Sequence, residues 1–177
     1  MESQEIERSF QEIWKLFAET DRKMQQTDRQ IQETDKKVNA LTGKWSKFVE
    51  ALVVPAAERL FRERGILVDK VSQRVRAREN GEGMEIDVLA VDGEHAVLIE
   101  VKSTLGIDDV REHIDRLGKF KRFFPEYADR KAVGAVAGIV IDEGVDRFAY
   151  KNGLFVIAQS GDTVRVLNDE KFVPKEW

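Results

Sequence analysis

Met84-Glu-Ile-Asp87-Val-Leu-Ala-Val-Asp92-Gly-Glu94-His-Ala-Val-Leu-Ile-Glu100-Val-Lys102-Ser-Thr104 decides how this chain folds. Two apolar runs, Glu85–Val91 and Ala96–Val101, meet at Asp92-Gly93-Glu94, the signature of a β-hairpin. Asp87 lies near the start of the first run; Glu100 and Lys102 lie at the end of the second. A charge is costly to bury without a partner, so ionisable groups at the ends of such runs usually have a task. Glu100 and Lys102 are two apart and project from one face of an extended strand. The turn brings the strand of Asp87 antiparallel to theirs, and parity places Glu85 on the face of Asp87.

Working outward, Ile66–Ala77 reads as an extended run, and Asp108 to about Phe124 as a helix closed by Pro125. Ala132–Ile141 is a continuous apolar run, as in a buried strand. Val145–Lys151 reads as a short helix, Leu154–Ala158 as a strand and Thr163–Leu167 as an edge strand. Before the hairpin, a helix fits Pro55–Arg64, with Pro at its first turn and Gly65 as its stop. Pro55 also predicts a break or kink at Val54. A hairpin followed by helix–strand alternation implies a mixed sheet with helices on both faces, an α/β class.

The first part of the chain differs. Residues 1–48 lack Pro, hold a single Gly and carry a seven-residue repeat. Phe10, Phe17, Met24, Ile31, Val38 and Trp45 form one series, and Ile6, Ile13, Thr20, Thr27, Thr34, Leu41 and Phe48 the other. That is an a/d seam, read as a coiled-coil oligomerisation helix ahead of a domain at 49–177, with a homodimer favoured. In a parallel pair, Lys23 at g reaches Asp28 at e of its partner. Thr at d fills a hole poorly, so the seam reads weakest in its middle. A single amphipathic helix packed on its own domain is the competing reading.

Composition narrows the classes. With 177 residues the chain supports one domain with a core plus an appendage. Without cysteine it has no disulfide framework and no thiolate metal site. No apolar run reaches membrane-helix length and the start does not read as a signal peptide, so a cytoplasmic protein is the default expectation. A net charge of -4 argues against an overall affinity for nucleic acid but permits a basic patch.

Two carboxylates on adjacent strands, with a main-chain carbonyl such as that of Val101, make a donor set for Mg²⁺. Such a cation activates water and offsets phosphate charge, with Lys102 beside it. Asp87, a gap of twelve residues, then Glu100-Val101-Lys102 resembles the PD-(D/E)XK nuclease superfamily. Its setting is similar to restriction-endonuclease-like and Holliday-junction-resolvase-like members, and to prokaryotic proteins of unknown role with an N-terminal coiled coil. The match covers roughly residues 50–160, and Ile86 stands where the family name has Pro. The resemblance implies a restriction-endonuclease-like core, a Mg²⁺ (or Mn²⁺) site at Asp87 and Glu100, Lys102 as the assisting cation, and DNA as substrate. It also implies a metal-site Glu on the first helix, for which Glu58 is the best match and Glu50 and Glu63 are rivals. Some members place Gln or a basic residue on the second helix; no Gln occurs between Asp108 and Phe124.

His113 and Arg116 share a helix face and read first as surface residues, second as phosphate contacts. Arg74, Arg76 and Arg78 recur every second residue, and Arg111–Lys131 holds seven Lys/Arg against four Asp/Glu. Both segments could hold a phosphate backbone, or be ordinary surface charge. A buried ion cluster is the structural alternative for Asp87, Glu100 and Lys102. The functional alternative is a catalytically inactive nuclease-fold protein that binds DNA or acts as a scaffold.

Overall fold

The structure is a computed structural model that describes the backbone of residues 2–177 and the side chains of residues 7–8, 10–34, 37, 43 and 50–177. The chain divides into two compact units, Met1–Gly43 and Lys44–Trp177. Helix α1, Glu2–Arg62, contributes residues to both.

In the first unit, Phe10, Ile13, Phe17, Met24 and Ile31 are all exposed, with Trp14 and Leu16 beside them. Thr20, Thr27 and Thr34 donate their hydroxyls to the carbonyls of Leu16, Lys23 and Gln30 at 2.8–2.9 Å. Each hydroxyl is satisfied within its own helix and leaves a methyl on the stripe. The repeat members Ile6, Val38, Leu41, Trp45 and Phe48, and Asp35, lie outside the described side chains.

In the second unit α1 carries Val53, Ala57, Leu60 and Phe61 into a core. The expected break at Val54-Pro55 does not occur: Pro55 lies inside the helix. Ala51, whose carbonyl the proline cannot engage, and Pro55 itself are exposed, so water takes the freed acceptor. Val53 on one side of the proline and Ala56 and Ala57 on the other are buried, so packing holds the helix together across it.

Six strands follow: β1 Lys70–Glu79, β2 Glu82–Val91, β3 His95–Leu105, β4 Lys131–Ile141, β5 Phe155–Ser160 and β6 Thr163–Val166. They form one sheet in the order β1-β2-β3-β4-β5-β6. β3, β4 and β5 are parallel to one another and the remaining pairings are antiparallel. Helices α2 (Ile107–Phe123) and α3 (Val145–Lys151) connect the parallel strands. α1 packs on one face, against Val88, Val97, Ile99, Val101, Ala135 and Phe155. α2 and α3 cover the other, against Leu89, Leu98, Val136 and Val156. The mixed α/β sheet flanked by helices is therefore present.

Local chemistry explains the turns. β1 begins four residues later than the apolar run suggested, because Ile66 and Val68 are buried in the connection after Gly65 rather than paired in the sheet. Asn80 and Gly81 both have positive φ, 49° and 84°, the conformation a two-residue β1–β2 hairpin turn requires. Gly134 on β4 permits close packing: a Cβ there would lie 2.2 Å from Leu154 Cδ2 and 2.4 Å from Leu117 Cδ1. Both leucines are fully buried. Gly134→Ala is expected to cost about 1–3 kcal/mol of stability through overpacking, read as a lower unfolding midpoint in urea. An unchanged midpoint would mean that the two leucines yield freely.

Candidate active site

The site forms where two strands part. The β2–β3 ladder runs from Val91↔Ala96 to Val88↔Ile99 and stops. β3 continues beside β4 as far as Leu105↔Ile141, so Glu100 and Lys102 lie within a strand rather than at its end. Asp87 and Glu100, next in register, fall beyond the last β2–β3 pair. Asp87 Oδ2 accepts the Val101 N–H at 2.9 Å, standing in for the lost strand acceptor. This leaves Oδ1 without a structural duty toward Val101.

Glu100 is only 3% exposed. Its Oε1 lies 3.2 Å from Lys102 Nζ, and its Oε2 2.7 Å from Arg116 Nη2 on α2. Lys102 Nζ also lies 3.5 Å from Asp109 Oδ1. Asp109 in turn accepts the Gly106 N–H at 2.9 Å and so fixes the start of α2. Burial pushes the Glu100 carboxyl above the usual carboxylate range, the charge of Asp87 pushes it further, and Arg116 and Lys102 offset part of this. Burial opposes the charge on Lys102, but Glu100, Asp109 and Asp87 together hold its ammonium above the ordinary value. Lys102 is therefore protonated throughout the physiological range, and its chemistry is that of a donor and a positive charge.

Helix periodicity explains Arg116. Val110, His113, Leu117 and Phe120 form the buried stripe of α2, and Arg116 lies three residues after His113 and four before Phe120, at the stripe's margin. Its guanidinium reaches Glu100 as an ion pair, while its Nε and Nη2 are buried without an aligned hydrogen bond. The reading of His113 and Arg116 as surface residues is thus corrected, and buried His113 offers nothing to a phosphate. Asp109 was absent from the expected site, because an acidic residue in a helix's first turn is routine.

His113 Nε2 lies 3.1 Å from the Leu98 carbonyl, so Nε2 carries the proton, and Nδ1 is buried without a partner. Burial, with Arg116 adding to it, lowers its pKa from 6.5 to about 3. The unfolded chain binds this proton below about pH 6.5 and the folded chain does not, so stability falls as pH drops between 6.5 and 3. At pH 5 the loss from this group is about 2 kcal/mol. Unfolding titrations at pH 7.5 and 5 are expected to show that loss, and His113→Gln is expected to remove most of it. An equal loss in the variant would assign the pH dependence elsewhere.

Several expected residues are not brought to the pair. Glu58 is exposed and ion-paired with Arg62, on the helix that packs against the opposite sheet face from Glu100 and Arg116. The rival Glu50 is buried but lies 3.5 Å from Arg74 Nε. Glu85 does not share the duty of Asp87: it is bound by Arg76 at 2.9 and 3.2 Å. Arg74 and Arg76 are thus matched by carboxylates, as are Arg122 with Glu79 and Glu82, and Lys131 with Glu94. Arg78 is exposed. Among the described residues no group of three or more His, Asp or Glu is arranged to hold a metal. The candidate donors are the two carboxylates and the Val101 carbonyl. A groove of about 490 Å³ opens beside Arg116, lined also by Glu82, Glu85, Glu112, Asp115 and Lys119. No described helix is long and apolar enough to cross a membrane.

No family model matches this chain, and no curated protein matches it. Solved structures overlap it in part. One is an EndoMS–dsDNA complex, with 22% identity, 59% of this chain and 42% of that chain covered, and a TM-score of 0.39. Another is a repair endonuclease from Pyrococcus abyssi, with 21% identity, coverages of 56% and 43%, and a TM-score of 0.37. A third is the small subunit of the heterodimeric restriction endonuclease R.BspD6I, with 15% identity, coverages of 63% and 62%, and a TM-score of 0.35. The chain thus spans between 42% and 62% of the length of these structures.

Proposed function

We propose that this chain is a Mg²⁺-dependent (or Mn²⁺-dependent) nuclease that hydrolyses DNA phosphodiester bonds and assembles as a dimer through its N-terminal helix. The observation that carries the reading is the pair of carboxylates at the parting of β2 and β3, with the Lys102 ammonium on one of them. The donor chemistry fits a hard divalent cation, which takes oxygen ligands and keeps several waters. Burial first, and the charge of Asp87 second, raise the Glu100 carboxyl, and a bound cation would offset both. When bound, the cation would lower the pKa of a water and offset charge on the phosphate.

The chain's own residues do the rest. Asp87 keeps Oδ2 on Val101 and offers Oδ1, while Glu100 offers its two oxygens once its cations yield. Lys102, which Asp109 still holds when Glu100 yields, would orient the attacking water or neutralise charge developing on a phosphate oxygen. Arg116 competes for Glu100 until a ligand arrives, and then its guanidinium is free to meet a phosphate. The exposed Arg78 and the basic stretch of α2 are the remaining candidates for the DNA backbone.

One observation favours a second reading. Glu100 is already paired with Lys102 and Arg116, so its own charge is offset without a metal. In that case the fold serves as a DNA-binding or scaffold module. The test is purified full-length protein with Mg²⁺ or Mn²⁺ against single-stranded, duplex and branched DNA. Cleavage that disappears in Asp87→Ala is expected. Cleavage that survives both Asp87→Ala and Lys102→Ala would remove the assignment.

A further inference from the structure

Arg74 is one of two non-glycine residues with positive φ, at 50°, among the described residues; the other is turn residue Asn80. Unlike Asn80, Arg74 lies within a strand. A long side chain has no intrinsic preference for this left-handed backbone, so the surroundings must impose it. The β1–β2 ladder passes from Gln73↔Val88 to Val75↔Ile86, leaving Arg74 and Asp87 facing each other outside it.

Packing shows what the kink does. Along a regular strand, residues two or four apart share a face. Val71 packs against the α1 core, yet Val75 and Ala77 pack against the α2 core. Across the ladder, Val88 joins the α1 core and Ile86 the α2 core. Both strands reverse their faces at one level, and that level holds Arg74 and Asp87. The reversal begins at the last β2–β3 pair, where Asp87 leaves the ladder and takes the Val101 N–H. On the other side of Arg74 stands Glu50 of α1, a carboxylate buried to 8% exposure, 3.5 Å from Arg74 Nε. The Arg74 side chain is 47% exposed, so this is an ion contact at the surface end of a buried carboxylate, and it biases where the guanidinium sits.

We propose that Arg74, held in its left-handed conformation by Glu50, is a positioning residue that sets Asp87 against Val101. The first-helix carboxylate then serves the candidate site through β1 rather than as a ligand. This rests on the assignment of Asp87 to the site, but the backbone device stands apart from catalysis.

Arg74→Gly and Arg74→Ala separate the kink from the charge. Both lose the guanidinium, and only glycine accepts positive φ freely. The readout is exchange of the Val101 amide hydrogen in the full-length chain without metal, with Mn²⁺ affinity measured alongside. Arg74→Gly is expected to keep Val101 exchange within about threefold of the unaltered protein, whereas Arg74→Ala raises it about tenfold or more. Glu50→Gln is expected to raise exchange in the Arg74 background and to add nothing once residue 74 is glycine. Equal exchange in the Gly and Ala variants, or an effect of Glu50→Gln that persists with Gly at 74, would overturn the proposal. Should the unaltered chain bind no Mn²⁺, the nuclease reading fails while the exchange pattern still decides the role of Arg74.

Discussion

Lys102→Met is expected to lower DNA cleavage by about 10²–10⁴-fold while leaving the fold intact, the range associated with losing one positioned proton-handling or charge-stabilising group. Methionine keeps the length and apolar stem of lysine, and the ammonium is its main loss. Burial opposes the Lys102 charge, but Glu100, Asp109 and Asp87 hold its ammonium above the ordinary value, so the expected loss falls on water orientation and charge stabilisation. The same shift means that whatever stability Lys102 contributes is present below about pH 10.5 and fades as pH rises through the folded value. Single-turnover cleavage of labelled duplex checks the prediction. A Met variant that cleaves at the unaltered rate would place the chemistry elsewhere. Glu100 gives a second signature: its raised carboxyl must ionise to accept a ligand, so cleavage should rise with pH through that value.

Replacing Phe10, Ile13 and Phe17 together with Ser is expected to convert the assembled protein to a monomer. In the first unit these side chains are 61%, 48% and 66% exposed, beside Trp14 at 72%. Burying each large apolar side chain yields about 1.5–3 kcal/mol, and a symmetric pair counts each twice. Their a/d heptad spacing is the pattern expected where a like helix is the occupant. The three Thr at d do not oppose this, because each hydroxyl is already bonded within its helix. Sedimentation velocity at micromolar concentration is the check. Dimeric unaltered protein and a monomeric triple variant are expected. Monomeric unaltered protein would refute the stripe's assembly role.

Much of the second unit was legible because its apolar runs are long and bounded by turn residues. Val145–Lys151 agrees in both limits with the observed helix, and Ala132–Ile141 is one residue short of β4. Asp92-Gly93 signals its hairpin in the sequence, and Asn80-Gly81, both at positive φ, is an equally strong turn signal for the β1–β2 hairpin. The Pro55 break failed because a local rule met tertiary packing on both sides of the proline. For the candidate site, strand parity placed Glu100 and Lys102 on one face, and the structure does bring both to the α2 side. Parity says nothing of partners: Glu85 is bound by Arg76 across the β1–β2 ladder. No sequence pattern announces a left-handed arginine. Arg116 was within reach of helical periodicity, but its partner Glu100 lies on another element, β3, and contacts between elements are not written in spacing along one of them.

Calorimetric titration of the full-length protein with Mn²⁺ tests the central claim most directly. Asp87 and Glu100 as a cation site predict saturable binding in the unaltered chain that is lost in an Asp87→Asn, Glu100→Gln double variant that remains folded. Absence of binding in the unaltered chain, or equal binding in the double variant, would contradict it and leave a structural ion cluster in its place.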